Sequence, residues 1–384
     1  MKHRNVETPK HRNTEISKRQ NGRCLAAAPQ VGGRYSSFIL SSSSFILHPS
    51  LFIWLFAFGG CIQPCLLETI SPREQESFQT EATRCLIQTA YSDEPALRMH
   101  AIEALGEVAP KEGLRAIELN IENEYTGASF AALMALGSMR NADFIERIRT
   151  RAEHADPNVR IAALYALHRL GDQRRTGELA DYLLHHRDAR VRANAALAIG
   201  RLAEPSSAKL LRSAMNREKK NLAKLQVLEA LAILGDKYAT ERLLFNGRSA
   251  YPDQAALALM FLGTAESPEA EDLFRDRLYA KDWPEVRMQA ARGLGRLGFE
   301  DGLDVAVAHL WFSSPDRDRP NDPPEQQIAR IRGLAALALE AIGNPQALKS
   351  LKDAFELKEQ PEYVRIAIAR AAIRIINLTK TESR

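Results

Sequence analysis

Cysteine, aromatic side chains and long apolar runs are all scarce in this chain of 384 residues. Four cysteines are too few for a small fold stapled by disulfides. Cys61 and Cys65 have a spacing that suits neither a metal pair nor a redox pair, and Cys85, beside Leu86 and Ile87, reads as a small buried hydrophobe. Phe, Trp and Tyr make up 7% of the chain, which argues against surfaces that stack a displaced base or a single strand. The G-x-S-x-G elbow and the phosphate-cradling glycine loop are missing too. The expectation is a protein that is not an enzyme, with no catalytic residues, no metal and no cofactor.

Positive charge is in small and localised excess. The formal net charge is +4, from 52 Lys and Arg against 48 Asp and Glu. Residues 1–60 hold eight of the cations and two of the acids, which leaves 44 against 46 in the rest. A slightly acidic body argues against a nucleic-acid partner, because a phosphate groove needs a basic one.

The basic leader precedes an apolar stretch, Phe38 to Gly60, with an uninterrupted apolar core at 51–58, small residues Gly59 and Gly60, and then Cys61. Basic flank, apolar core and small residues form an export signal, and the core is too short for a span of about 20 residues. The tetrad Phe58-Gly59-Gly60-Cys61 resembles a bacterial lipoprotein box, which implies lipidation of Cys61, although Phe58 replaces the usual Leu. A lipidated, a cleaved and a retained leader all send the following chain to the outer side of the membrane. The expected address is the cell envelope, with the N-terminal anchor as the only membrane contact. No Met lies between Met1 and Met99, and the leader before the core is long, which points to a translation start near Val31. Residues 61–70 read as a tether. Ser71-Pro72-Arg73-Glu74 then supplies an N-cap, a Pro at the first helical position and a Glu three residues after the cap, the signature of a helix start.

From that point a single pattern recurs. Segments aligned on the Val of Val159-Arg160 begin at Leu97, Ala128, Val159, Val191, Ala223, Tyr251, Val286, Ile331 and Val364. Their offsets are 31, 31, 32, 32, 28, 35, 45 and 33 residues, and position +1 is Arg or Lys in seven of the nine. Positions 0, +1, +4, +5, +8 and +11 form one apolar stripe of a helix that must be buried. Glycines late in the helix, at +9 or +12, and the preceding Asp93, Asp156, Asp188 and Asp282 supply end signals, the +12 glycines suiting a left-handed cap. About 31 residues leave room for one partner helix, as in Ser206 to Asn216 or Glu266 to Tyr279, so each repeat is a helical hairpin. The solenoid is expected over 71–378, with an insertion at 312–327 and a tail at 379–384.

The pattern D-x-x-V-R-x-x-A-x-x-A-L-G-x-L-G, as in Asp156 to Gly171, resembles HEAT repeats of the short type first described in phycobilisome bilin lyases. The resemblance implies an all-α, right-handed α-solenoid of about nine HEAT-like hairpins, and says little about function. Deoxyhypusine hydroxylases of similar fold bind di-iron through His-Glu pairs, and none of the nine histidines here is followed by Glu. His154, His168, His185 and His186 share no helical face with a carboxylate and read as surface residues. A DNA glycosylase role conflicts with the acidic body, and a bilin lyase role with export. In the insertion, Asp316, Asp318 and Asp322 lack the glycine and terminal glutamate of a calcium loop, so a solvated, proline-stiffened loop is expected.

In this family the second helix of each hairpin lines the concave wall. Positions +3, +6 and +10 of that helix are not used by the core, and the candidate partner-binding residues there are Glu103, Glu107, Met134, Tyr165, Arg169, Asn194, Arg201, Gln226, Glu229, Phe261, Gln289, Arg292 and Arg296. His100, Gln254, Arg370 and Arg374 extend the same wall, which runs from acidic to basic along the chain. The Arg at +1 is assigned a structural role against an Asp cap of a neighbouring repeat. The expected function is a non-catalytic scaffold that binds a protein or peptide on this wall. The alternative is an accessory subunit, or a lyase-like enzyme using the groove.

Overall fold

The structure, a computed structural model, describes residues 69–317 and 321–382. The leader and Cys61 lie outside the described residues. Among the described residues there are eighteen α-helices and no strand, paired in chain order as nine hairpins. They are α1 (Pro72–Thr89) with α2 (Pro95–Val108), α3 (Leu114–Leu119) with α4 (Thr126–Met139), and α5 (Ile145–Arg151) with α6 (Pro157–Arg169). Next come α7 (Glu178–His185) with α8 (Ala189–Leu202), α9 (Ala208–Arg217) with α10 (Asn221–Ile233), and α11 (Lys237–Gly247) with α12 (Pro252–Thr264). The last are α13 (Glu271–Tyr279) with α14 (Pro284–Arg296), α15 (Leu303–Leu310) with α16 (Pro324–Ile342), and α17 (Leu348–Phe355) with α18 (Glu362–Glu382). The fold is the expected all-α solenoid. Its last helix runs through most of the segment expected to be a tail.

Local chemistry sets the hairpin ends. Ser71 accepts from Glu74 N while Glu74 accepts from Ser71 N at 2.9 Å, so the capping box forms where the sequence places it. Asp156 and Asp188 cap α6 and α8, whereas Asp93 and Asp282 sit one residue before the N-cap positions of α2 and α14, held by Glu94 and Trp283 without a side-chain capping bond. His154 and His186 extend two of these caps, each accepting a backbone N–H from the following Asp at about 3 Å.

The repeated Arg at +1 is structural, but its partner differs from the expected Asp cap. Arg98, Arg192, Arg287, Arg332 and Arg365 donate to the carbonyls of Ser92, His186, Leu278, Phe312 and Phe355. Each acceptor lies at or just past the end of the first helix of its hairpin, where carbonyls have no intrahelical donor. The arginine therefore ties the two helices of one repeat together.

The glycines divide into two jobs. Gly171, Gly235, Gly298 and Gly343, all at +12, have φ between 74° and 92°, as a left-handed helix end requires. Those at +9 instead let second helices touch: a Cβ on Gly200 would lie 2.8 Å from Ala230 Cβ, and one on Gly137 would lie 2.8 Å from Ala166 Cα. Repeat six needs a different register from the one its apolar pattern suggests. Its helix is capped by Tyr251 with Pro252 at the first position, so position 0 is Gln254 and the offsets of 28 and 35 become 31 and 32. Gly263 then falls at +9, where its added Cβ would meet Gly293 Cα at 3.1 Å.

These close contacts draw the second helices into a tight inner layer, and the layer closes on itself. α1 and α2 pack on α18. Gln79 donates to Asn377 at 2.7 Å, Asn377 donates to the Val108 carbonyl at 3.1 Å, and Phe78 meets Phe355 edge-on with ring centroids 5.5 Å apart. Nine helix axes about 9 Å apart make a circle roughly 26 Å across, and removing about 5 Å of helix on each side leaves a channel of roughly 16 Å. Long side chains from distant repeats can meet within it.

Candidate functional site

The inner wall collects side chains from both ends of the sequence. Glu107, late in α2, accepts from Arg370 of α18 at 2.7 Å, and the same guanidinium reaches both oxygens of Glu340 of α16 at 2.8 and 2.9 Å. The expected gradient from an acidic start to a basic end is therefore absent in space, because the two ends are neighbours. Enclosure by the ring would raise the Glu107 carboxyl, but Arg370, Arg201, Arg292 and Arg296 outweigh it and hold the group below its ordinary range. One carboxylate thus feels cations from repeats four, seven and nine.

Of those cations, Arg370 is satisfied by its two glutamates, which lift its pKa against the desolvation that opposes them. Arg201, Arg292 and Arg296 have no hydrogen bond or ion pair among the described residues. Arg201 and Arg296 occupy the last turns of α8 and α14, where a cation also offsets the negative helix end, by roughly 0.3–1 kcal/mol. Arg292 lies a turn further in. Burial, with repulsion from Arg370 and Arg296, brings its pKa down to about 10 in spite of Glu340 and Glu107.

Facing Arg201 and Arg292 is Glu229 of α10, 5% exposed. Burial pushes its carboxyl up to about 7, even though Arg201, Gln226, Thr264 and Arg292 all favour the ionised form. Gln226 donates to it directly. Gln289 of α14, also 5% exposed, has its carbonyl oxygen buried without a hydrogen-bond partner. A crevice between α12 and α14 joins Met260, Thr264, Gln289, Arg292 and Arg296.

Several residues expected on an open wall are elsewhere. Met134 and Tyr165 are core residues, the Tyr165 hydroxyl lying 3.1 Å from Ser138 Oγ. Phe261 is 2% exposed, because the repeat-six register moves it from +10 to +7, the position that buried Ala104, Ala166, Ala198 and Ala230 hold in other repeats. Gln226, Glu229 and Gln289 border the channel but are buried rather than solvated. Asn194 is engaged by Asn158 at 2.9 Å. Arg169 is half-buried and leaves its Nε unpartnered. Glu103 lies within electrostatic reach of Arg370 and bonds His100 at 3.2 Å. Thr264 and Glu340 were not among the expected residues. Pro252 marks the register that finds Thr264, since Pro95, Pro157 and Pro284 hold the same helical position.

Away from the channel, Asp322 of the insertion is held by both terminal nitrogens of Arg330, at 2.9 and 2.7 Å, and Arg330 also reaches Glu285 at 2.8 Å. No group of three or more His, Cys, Asp and Glu that could hold a metal is present among the described residues.

Residues 121–184 and 176–246 match HEAT repeats. No curated protein sequence matches the chain. Among solved structures, the phycocyanin lyase complex of CpcE and CpcF from a Nostoc species is similar at 19% identity and a TM-score of 0.38, over 66% of this chain and 93% of that one. Human deoxyhypusine hydroxylase is similar at 18% identity and 0.34, over 80% and 100%. Kap121p is similar at 12% identity and 0.33, over 75% and 37%. HEAT repeats are thus matched over residues 121–246, and helical hairpins of the same pattern continue on either side of them.

Proposed function

We propose that the chain is a non-catalytic scaffold that binds a protein or peptide partner at the mouth of its inner channel, through an acidic segment of that partner. The observation that carries this reading is the convergence of Arg201, Arg292 and Arg296 on one channel with no ion pair among the described residues. Clustered cations without counter-ions repel one another and suit an incoming anion that supplies the missing charge. The closed layer favours a segment or chain end over a broad surface, because the channel is narrow.

The proposal includes an address. Residues 38–61 read as an export signal ending in a lipidated Cys61, which would hold the scaffold on the outer side of a bacterial membrane. The anchor in this reading is the N-terminal segment alone.

Affinity capture from bacterial envelope extracts tests the partner. The wild-type chain should retain a stoichiometric partner, and the triple variant Arg201→Glu, Arg292→Glu, Arg296→Glu should lose it while keeping its helical circular-dichroism spectrum. Equal capture by the folded triple variant refutes the channel as the contact. Palmitate labelling that is unchanged in Cys61→Ser refutes the anchor.

A further inference from the structure

Two unsatisfied groups on α14 specify what the channel takes. Arg292 is a half-buried guanidinium without an ion pair, lowered to about 10 by burial and by its cationic neighbours. One turn before it, Gln289 buries a carbonyl oxygen that accepts nothing. Leaving such an acceptor unmet costs stability. Arg296 lines the same crevice as Gln289 and Arg292, and Arg201 and Arg296, both exposed, lie within electrostatic reach of Glu107.

The anions already present do not meet this demand. Glu107 and Glu340 are bound to Arg370. Glu229, the carboxyl that Arg201 and Arg292 both influence, is buried and half protonated near neutral pH, and it accepts from Gln226. It is a poor counter-ion for two guanidiniums.

We propose that Arg201, Arg292, Arg296 and Gln289 form an oxyanion site, in which a carboxylate or phosphate group displaces Glu229 as the counter-ion of the arginines. The guanidinium forks supply paired donors to the oxygens of such a group. An N–H or O–H carried beside the oxyanion donates to Gln289 Oε1. A side-chain or terminal carboxylate of an acidic peptide has this chemistry, and so does free phosphate. The inference rests on the reading that the channel is a binding surface, and names the group it binds.

Isothermal titration of the full chain with inorganic phosphate, and separately with a hexaglutamate peptide, tests it. At least one probe should bind the wild type, and Arg292→Met should weaken that probe about tenfold or more. Glu229→Gln keeps the side-chain shape and removes the competing charge, so it should tighten binding several-fold. This arm stands even where Arg292→Met folds poorly. Binding of phosphate alone supports the oxyanion site while removing the peptide-partner reading, and binding of the peptide supports both. Binding of neither probe, binding equal in wild type and folded Arg292→Met, or weaker binding in Glu229→Gln overturns the site.

Discussion

Phe78→Ala tests whether the solenoid is a ring. Phe78 on α1 is 1% exposed and packs edge-on against Phe355 of α17, across the junction of the first and last repeats. Deleting a fully buried phenyl ring costs about 3–5 kcal/mol, of which roughly 0.5–1.5 kcal/mol comes from the aromatic pair itself. The other contacts of this seam are weaker. The hydrogen bonds of Asn377 to Gln79 and to the Val108 carbonyl are worth about 1 kcal/mol each. The Glu107–Arg370 pair, whose glutamate is 46% exposed, adds at most about 1 kcal/mol. Phe78 is therefore the largest of these contributions to closure. In an open array each repeat feels only its neighbours, so a lesion in α1 would fray the first hairpin and leave the last one intact. In the ring, α18 has α16 on one flank and α1 with α2 on the other. Loss of the Phe78 contact should therefore lower hydrogen-exchange protection in α18 by about a hundredfold, since each 1.4 kcal/mol is a factor of ten. Hydrogen exchange read by mass spectrometry on peptides from α18 and α8 measures this directly. Protection of α18 that stays unchanged while α1 exchanges freely would refute the closure argument.

Two further predictions follow from buried groups. Glu229 keeps its proton in the folded chain up to about pH 7, whereas its ordinary value is 4.5, so the folded state binds more proton than the unfolded state in that window. Stability should then decline as pH rises from about 4.5 to about 7 and level off above, a loss of roughly 3 kcal/mol at most. Glu229→Gln should flatten that decline in urea melts at pH 5 and pH 8, and an unaltered slope would exclude Glu229 as its source. Gly200→Ala adds a methyl 2.8 Å from Ala230 Cβ and 2.9 Å from its Cα. Overpacking of about 1–3 kcal/mol should outweigh the gain of about 1 kcal/mol in helix propensity and lower the Tm. Gly333→Ala, with nothing within 4 Å of the new methyl, should raise the Tm, and a rise for both would show that the inner helices have room to spare.

What was legible in the sequence was whatever obeys local rules. The capping box at Ser71, with Pro72 at the first helical position, and the left-handed glycines at +12 each depend on a few adjacent residues, and each lies where expected. Closure depends instead on small rotations summed over nine repeats, and no single residue states that sum. The glycines at +9 are visible in the sequence, but the curvature they permit is set only when each meets a small residue of the next helix.

The illegible part of the site follows from the same cause. Read along the chain, Glu107 and Arg370 are 263 residues apart and belong to opposite ends of a gradient, yet their side chains meet at 2.7 Å. On an open wall, Gln226, Glu229 and Gln289 would be ordinary solvated residues. On a narrow channel they are desolvated, which moves Glu229 toward neutrality and leaves the Gln289 carbonyl without a partner. Those two consequences of curvature, rather than the residue types themselves, turn a polar stripe into a site with unmet charge and an unmet acceptor. A charge pattern on a closed solenoid must therefore be read around the ring, where the first and last repeats count as adjacent. Read that way, Arg370 is neutralised by Glu107 and Glu340 from its two neighbouring inner helices. The uncompensated charge then falls on Arg201, Arg292 and Arg296.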